Sequence, residues 1–446
     1  MPDGEIIASM SRRITMPDVI AEYTMPGIHV TERMISVPLD WSRPDGEQIT
    51  VFVRELVDPP RRRDDLPLLV YLQGGPGGKS PRPVDRSGWL GVALERYRVV
   101  LLDQRGTGRS TPIDAVTIQR RGSALEQAEY LTMFRADSIV LDAEAVRTKI
   151  YDGRRWATLG QSFGGFITLT YLSFAPEGLA ACYVTGGIPG VPPVAAEVYR
   201  RTFPRVIAKT RAYYRRYPQD VDTVAAIVDR LAAGDVALPD GDRLSVQRFQ
   251  SLGGDLGMGP GAQRLHWLVT EAFAERSRLS EDFLQQVQVR TAQRGGPLFW
   301  TLQESIYGDG DNGPIGWAAE SEARKHPECS PDARPLIFTG EMTYRWMFDE
   351  IAALRPFAAA VDQLAQRTNW TRLYDPDRLA ANEVPLAAAV YHDDMFVDSG
   401  LQLQSLAGIG NSRAWVSNEW EHDGVGDVRV LRGLLQRIDD DGGERR

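Results

Sequence analysis

The chain has 446 residues, 43% hydrophobic and 25% charged, with a formal net charge of −9. That length exceeds one simple core and implies a large domain with an insertion, or two domains, of ordinary globular composition. The acidic balance excludes the basic face of a nucleic-acid binder, and no run reaches the ~18 apolar residues that span a bilayer.

The N-terminus, Met1 to Glu5, lacks a basic region followed by an apolar core, so no signal peptide is expected. The first twenty or so residues are polar and patternless and read as a loosely docked arm. His29 to Trp41 and Ile49 to Val57 alternate as a hairpin, with Pro44-Asp45-Gly46 as the turn. Pro67 to Leu72 is a continuous apolar strand ending in Gln73-Gly74-Gly75-Pro76-Gly77-Gly78. Tyr97 to Leu102 is another, ending in Asp103-Gln104-Arg105-Gly106-Thr107-Gly108-Arg109-Ser110. Arg135 to Ile150 has helical spacing. A short strand follows, Trp156 to Leu159, and then the buried-helix pattern of Phe166 to Leu172. Ala180 to Thr185 is a further strand.

Continuous apolar strands alternating with helices predict a mostly parallel sheet covered on both faces, the α/β class. From Val191 to Arg345 the texture changes to helical patterns rich in Arg, Glu, Gln, Tyr and Trp. The expected organisation is a first core segment over 1–190, a helical cap over 191–345 and a second core segment over 346–446. The sheet pattern returns at Val384 to Tyr391 and Ser412 to Ser417, before a final helix from about Val428 to Ile438. The two cysteines, Cys182 and Cys329, form neither a disulfide framework nor a metal cluster and fit a reducing cytoplasm.

Gly160-Gln161-Ser162-Phe163-Gly164 matches G-x-S-x-G between a strand and a helix, the context that motif requires. A serine nucleophile needs a base, and the base needs an orienting carboxylate. Of five histidines, only His422 follows the serine and lies just past a late strand. Asp393, Asp394 and Asp398 all follow the preceding strand; Asp394 is favoured as the acid, with Asp393 its competitor. Backbone N–H groups for an oxyanion are expected from Phe163 and, in the glycine turn, from Gly75. Asp103 and Arg105 read as loop-knitting residues. The lysine of a phosphate-binding loop is missing from this segment.

Four segments together resemble the prolyl aminopeptidases, or proline iminopeptidases, of the α/β-hydrolase superfamily. They are Gly74-Gly75-Pro76-Gly77, Asp103 to Ser110, Gly160 to Gly165 and His422-Asp423-Gly424. The resemblance runs from about residue 35 to 435, and Asp393 to Val397 looks like the longer-chain branch. It supports Asp394, because in shorter members the acid directly precedes a Met or similar residue. One departure is Gln73, where many relatives carry His. The resemblance implies release of N-terminal proline from small peptides, with no metal or other cofactor. It also implies glutamates that hold the substrate amine, and the segments 302–307 and 338–344 nominate Glu304 and Glu341. Phe299, Trp300, Tyr307, Tyr344 and Trp346 are candidates for walling the ring.

Two other functions fit the same frame: an esterase or amidase for small cyclic or aromatic acyl groups, and a non-catalytic binding protein. The esterase has no need of buried glutamates at 304 and 341. An active-site acylation test separates the binding protein.

Overall fold

A computed structural model describes residues 19–275 and 278–445. The expected N-terminal arm falls mostly on residues 1–18, outside the described residues. The strands in chain order are β1 (Val19–Met25), β2 (Ile28–Pro38), β3 (Gln48–Val57), β4 (Leu68–Leu72), β5 (Arg98–Asp103), β6 (Trp156–Gln161), β7 (Leu179–Thr185), β8 (Phe273–Glu275), β9 (Arg278–Leu279), β10 (Leu386–Tyr391) and β11 (Ser412–Ser417). Nine of them form one sheet in the order β1-β2-β3-β5-β4-β6-β7-β10-β11. β1, β2, β3 and β5 pair antiparallel; from β5 across to β11 every pairing is parallel.

The period of two explains why the parallel strands read as unbroken apolar runs. Leu68, Val70 and Leu72 of β4 join the core on one face of the sheet. Leu69 and Tyr71 join the core on the other, with Leu90, Leu94, Val430 and Leu434 from the covering helices. A strand buried on both sides has no polar positions to alternate.

The expected strands are present within two residues of their predicted ends, except that β2 stops at Pro38, three residues before Trp41. β1 was not anticipated: Val19 to Met25 is an edge strand with no buried residue, so its sequence carries no alternation.

The chain winds outward from β4 to β5 and then returns across β4 to β6. At such a reversal the loops beyond the carboxyl ends of neighbouring strands open a crevice. Three loops meet there: 73–78 after β4, 104–110 after β5, and the turn at Ser162 after β6.

The principal helices are α1 (Ala136–Ile150), α2 (Phe163–Phe174), α3 (Ala195–Arg216), α4 (Asp220–Ala232), α5 (Gly261–Thr270), α6 (Glu281–Thr291), α7 (Leu298–Leu302), α8 (Ala318–Ala323), α9 (Ser399–Ala407) and α10 (Val428–Asp440). Between β7 and β10 the named elements of the described chain are helices apart from the β8–β9 hairpin, and the main sheet resumes only at Leu386. Among the described residues no helix is long and apolar enough to cross a membrane.

Candidate active site

Ser162 sits at the junction of β6 and α2 with φ 55° and ψ −124°, a left-handed backbone for a residue with a side chain. Such a conformation costs about 1–3 kcal/mol and persists only where the surroundings enforce it. Here they do. The Ser162 N–H donates to Thr185 O at 3.0 Å, and Ser162 O accepts from Gly165 N at 2.8 Å. A Cβ at Gly164 would stand 1.9 Å from Leu72 O, so only glycine lets the turn press this closely on β4. The serine is buried, 7% exposed, at the N-terminus of α2, where the first N–H groups lack intrahelical partners. Phe163 N is the first of these.

The 73–78 turn lies against the serine. A Cβ on Gly74 would come within 3.1 Å of Ser162 Cβ and 2.5 Å of Gln161 Oε1. Gly75, with φ 137°, occupies a conformation that side chains rarely adopt. Gln104 Nε2 donates to Gln73 O at 2.8 Å and fixes the base of this turn. Phe163 follows Ser162 directly, and Gly74, the neighbour of Gly75, packs on the serine side chain.

His422 follows β11 and is 3% exposed. Its Nδ1 lies 2.7 Å from Asp394 Oδ2. The other carboxylate oxygen, Oδ1, accepts from Phe396 N at 2.8 Å and Val397 N at 3.1 Å, so the carboxylate is held by its own loop. Asp393 is exposed and pairs with His392 instead, at 2.9 Å. The Asp398 carboxylate caps α9 through Leu401 N and pairs with Arg205. His29, His266 and His326 are engaged with Glu22, Asp220 and the Phe203 ring respectively.

Serine and dyad share one floor. Gly187 presses on the Ser162 backbone, and a Cβ on Gly186 would come 3.2 Å from Asp394 Oδ2. His422 N donates to Gly257 O at 3.0 Å, and Phe396 packs its ring edge-on to the imidazole at 5.0 Å. Burial depresses the imidazole pKa. The charge and hydrogen bond of Asp394, then Glu341 and Asp423, outweigh it, and the net direction is upward.

Glu341 is the second carboxyl of the site. Burial pushes it up to about 7; Asp394 adds to the rise, while His422 and a hydrogen bond from Gln303 oppose it. It lines a cavity of about 230 Å³ with Phe299, Trp300 and Phe396. Glu304 is likewise pushed up to about 7 by burial, but both its oxygens are occupied. Oε1 accepts from Ala319 N at 2.8 Å and Oε2 from Ala318 N at 3.0 Å, so the carboxyl caps the start of α8. Among the described residues neither glutamate is paired with a lysine or arginine.

Tyr199 of α3 is a residue that the sequence reading passed over. Its hydroxyl is buried with no hydrogen-bond partner among the described residues. Burial raises its pKa, followed by Glu304, Tyr307 and Glu341, so it stands near both glutamates. Nothing in an amphipathic helix marks one core-facing tyrosine as different from the next.

The ring-wall candidates divide. Phe299 and Trp300 line the Glu341 cavity, and Tyr307 packs against Tyr199 and Phe166. Tyr344 and Trp346 line a separate cavity of about 660 Å³; none of Ser162, Asp394 and His422 lines either cavity.

Asp103 and Arg105 play the knitting role expected of them. Arg105 is buried, forks onto Asp142 at 2.6 and 2.7 Å, and donates to Pro38, Leu39 and Met133 carbonyls. Asp103 accepts from Ser80, Arg82 and Arg109 N. Burial pushes the thiols of Cys182 and Cys329 up to about 12, which makes neither a nucleophile at neutral pH.

The chain is similar to known proteins along most of its length. The model of the alpha/beta hydrolase fold family matches residues 67–280. A proline iminopeptidase of Aeromonas sobria is 44% identical over 405 residues, covering 90% of this chain and 94% of that protein. A proline iminopeptidase of Aspergillus aculeatus is 34% identical over 412 residues, covering 89% and 90%. A proline iminopeptidase of Neisseria meningitidis matches over 124 residues at 32% identity, 28% of this chain and 33% of its own. With two such relatives aligned along nearly their whole length, the chain belongs to the proline iminopeptidase family of α/β hydrolases.

Proposed function

We propose that this protein is a serine aminopeptidase that releases N-terminal proline from small peptides through an acyl-enzyme. Ser162 Oγ attacks the carbonyl of the first residue. His422 takes the hydroxyl proton and returns it to the leaving amine, while Asp394 holds the imidazole by its Nδ1–H. The N–H groups of Phe163 and Gly75 receive the developing oxyanion. Water, activated by the same histidine, then releases proline. The helical stretch 191–345 acts as the cap that excludes bulk water from these steps. Two unpaired buried cysteines support a reducing, cytoplasmic setting.

The observation that carries the substrate claim is Glu341. A half-buried carboxyl near His422 and Asp394, paired with no lysine or arginine among the described residues, is costly when ionised in the free enzyme. A protonated prolyl nitrogen supplies the missing cation. Glu304 is the weaker nominee, since α8 already uses both its oxygens; its second lone pairs and the unpartnered Tyr199 hydroxyl remain for the ring N–H₂⁺.

The test is Glu341→Gln assayed on Pro-arylamide and on an ester without an amine. Loss of about 2–5 kcal/mol in kcat/KM is expected for the prolyl substrate alone, the range for a broken buried charge pair. Equal losses on both substrates would leave an esterase as the better reading.

A further inference from the structure

Arg135 is 1% exposed and stands at the N-cap of α1. Nothing local favours a cation there. The N-terminal end of a helix carries partial positive charge, and burial strips a guanidinium of its water. Burial pulls its pKa down, against the opposing influence of Asp137, Tyr374 and Asp309. Among the described residues it forms no ion pair; its hydrogen bonds go to three neutral oxygens. Nε donates to Ser305 O at 3.1 Å, Nη2 to Gly308 O, and Nη1 to Thr371 Oγ1 at 3.1 Å. The guanidinium lies 4.7 Å from the centre of the Trp370 ring. The same ring presses on Gly308, where a Cβ would come within 2.4 Å of it.

What Arg135 holds is a turn between nominees of the amine site. Ser305 directly follows Glu304, and Gly308 directly follows Tyr307. Trp300, four residues before Glu304, lines both the cavity of Glu341 and a small cavity beside Glu304. The Tyr307 ring centre is 6.1 Å from that of Phe166 on α2 and 6.4 Å from that of Tyr199. Phe166 in turn is 5.9 Å from Phe163, the residue after the serine.

The other end of this segment is seated on the catalytic loops. A Cβ on Gly77 of the 73–78 turn would meet Leu298 Cβ at 2.4 Å, and one on Gly106 would meet Leu298 Cδ1 at 2.7 Å. Segment 298–308 is therefore fastened twice to the part of the chain that carries Ser162, by packing at Leu298 and by one arginine at 305 and 308.

An aminopeptidase that removes a single residue needs a fixed distance between the group that holds the amine and the serine that attacks the first carbonyl. A turn free to wander is in register only a fraction of the time, and apparent affinity falls by that fraction. The planar fork of arginine spans two carbonyls at once, which a lysine ammonium does not.

We propose that Arg135 is the positioning residue that keeps the amine site in register with Ser162, by clamping the turn that follows Glu304. The proposal rests on the aminopeptidase reading above and names what holds its amine site in place.

The test measures kcat and KM for Pro-arylamide and for an ester without an amine. Arg135→Met removes the donors and keeps an unbranched stem. KM for Pro-arylamide is expected to rise about tenfold, the effect of a turn in register about a tenth of the time, with kcat within about threefold and the ester within about twofold. Arg135→Lys should raise the same KM about threefold, and it serves if Arg135→Met folds poorly. In a Glu341→Gln background Arg135→Met should add little further loss on Pro-arylamide, because both changes act on one bound amine. An unchanged KM, equal losses on both substrates, or losses that multiply in full with Glu341→Gln would each overturn the positioning role and leave the aminopeptidase reading in place. Absence of turnover on Pro-arylamide by the parent overturns that reading itself, and the proposal with it.

Discussion

Lys209 Nζ lies 2.5 Å from both carboxylate oxygens of Glu421, the residue immediately before His422. One turn earlier on α3, Arg205 Nε donates to Asp398 Oδ2 at 2.9 Å and its Nη1 to His392 O at 2.8 Å. Positions four apart share a helix face. One face of α3 therefore grips both loops that carry the dyad, one through each cation.

Lys209→Met should damage catalysis more than binding. Burial already raises the Glu421 pKa, and Lys209 is what opposes it. Without the lysine the Glu421 carboxyl rises further, and its ionised fraction, unpaired next to His422, raises the imidazole. We expect kcat to fall about tenfold and the acid limb of its pH profile to move upward. Stability should drop by about 1–3 kcal/mol, between the values for exposed and buried pairs. An unchanged pH profile would reduce the pair to a structural latch.

Ser162→Ala and Ser162→Gly should be equally inactive and unequally stable. Either change removes the nucleophile, so kcat/KM should fall at least ~10³-fold. Only glycine relaxes at φ 55°, so Ser162→Gly should be the more stable of the two by about 1 kcal/mol in urea denaturation. Equal midpoints would mean that the turn carries no strain.

Asp394→Asn should cost on the order of 10⁴ in kcat, the effect of a wrong histidine tautomer. The amide keeps one oxygen for the N–H groups of Phe396 and Val397 and turns its NH₂, a donor, toward His422 Nδ1. Asp393→Asn removes only an exposed contact with His392 and should stay within about threefold. A severe Asp393 variant beside a mild Asp394 variant would reverse the assignment.

What was legible in the sequence follows what is local. The parallel strands declare themselves because burial on both faces makes them uninterrupted apolar runs. The turn at Ser162 declares itself because close approach to β4 and β7 demands glycines at fixed offsets. Contacts across long separations left no trace. The amides that occupy Glu304 come from the far side of a loop, at Ala318 and Ala319. Lys209 meets Glu421 from 212 residues away. The choice between Asp393 and Asp394 turned on which carboxylate faces inward, a matter of loop geometry that two adjacent identical residues cannot encode.

Glu341 makes stability depend on pH with the opposite sign to an ion-paired carboxylate. Its folded value of about 7 lies above the ordinary 4.5. Below 4.5 the carboxyl is protonated in both states and carries no penalty. As pH rises toward 7 the unfolded chain gives up its proton first, so unfolding gains and the fold weakens; above 7 the full penalty stands. A shift of that size corresponds to about 3 kcal/mol. Glutamine has the shape of the protonated acid and no charge. Glu341→Gln and the parent should therefore be equally stable near pH 4 without substrate. By pH 8 the variant should be the more stable, by up to about 3 kcal/mol in urea denaturation. The same change removes one of the influences that raises His422, so the acid limb of kcat/KM for an amine-free ester should move to lower pH. The two readouts share one cause, the buried anion. A stability difference that does not grow with pH, together with an unmoved limb, would mean that Glu341 is solvated in the free enzyme and is not waiting for a cation.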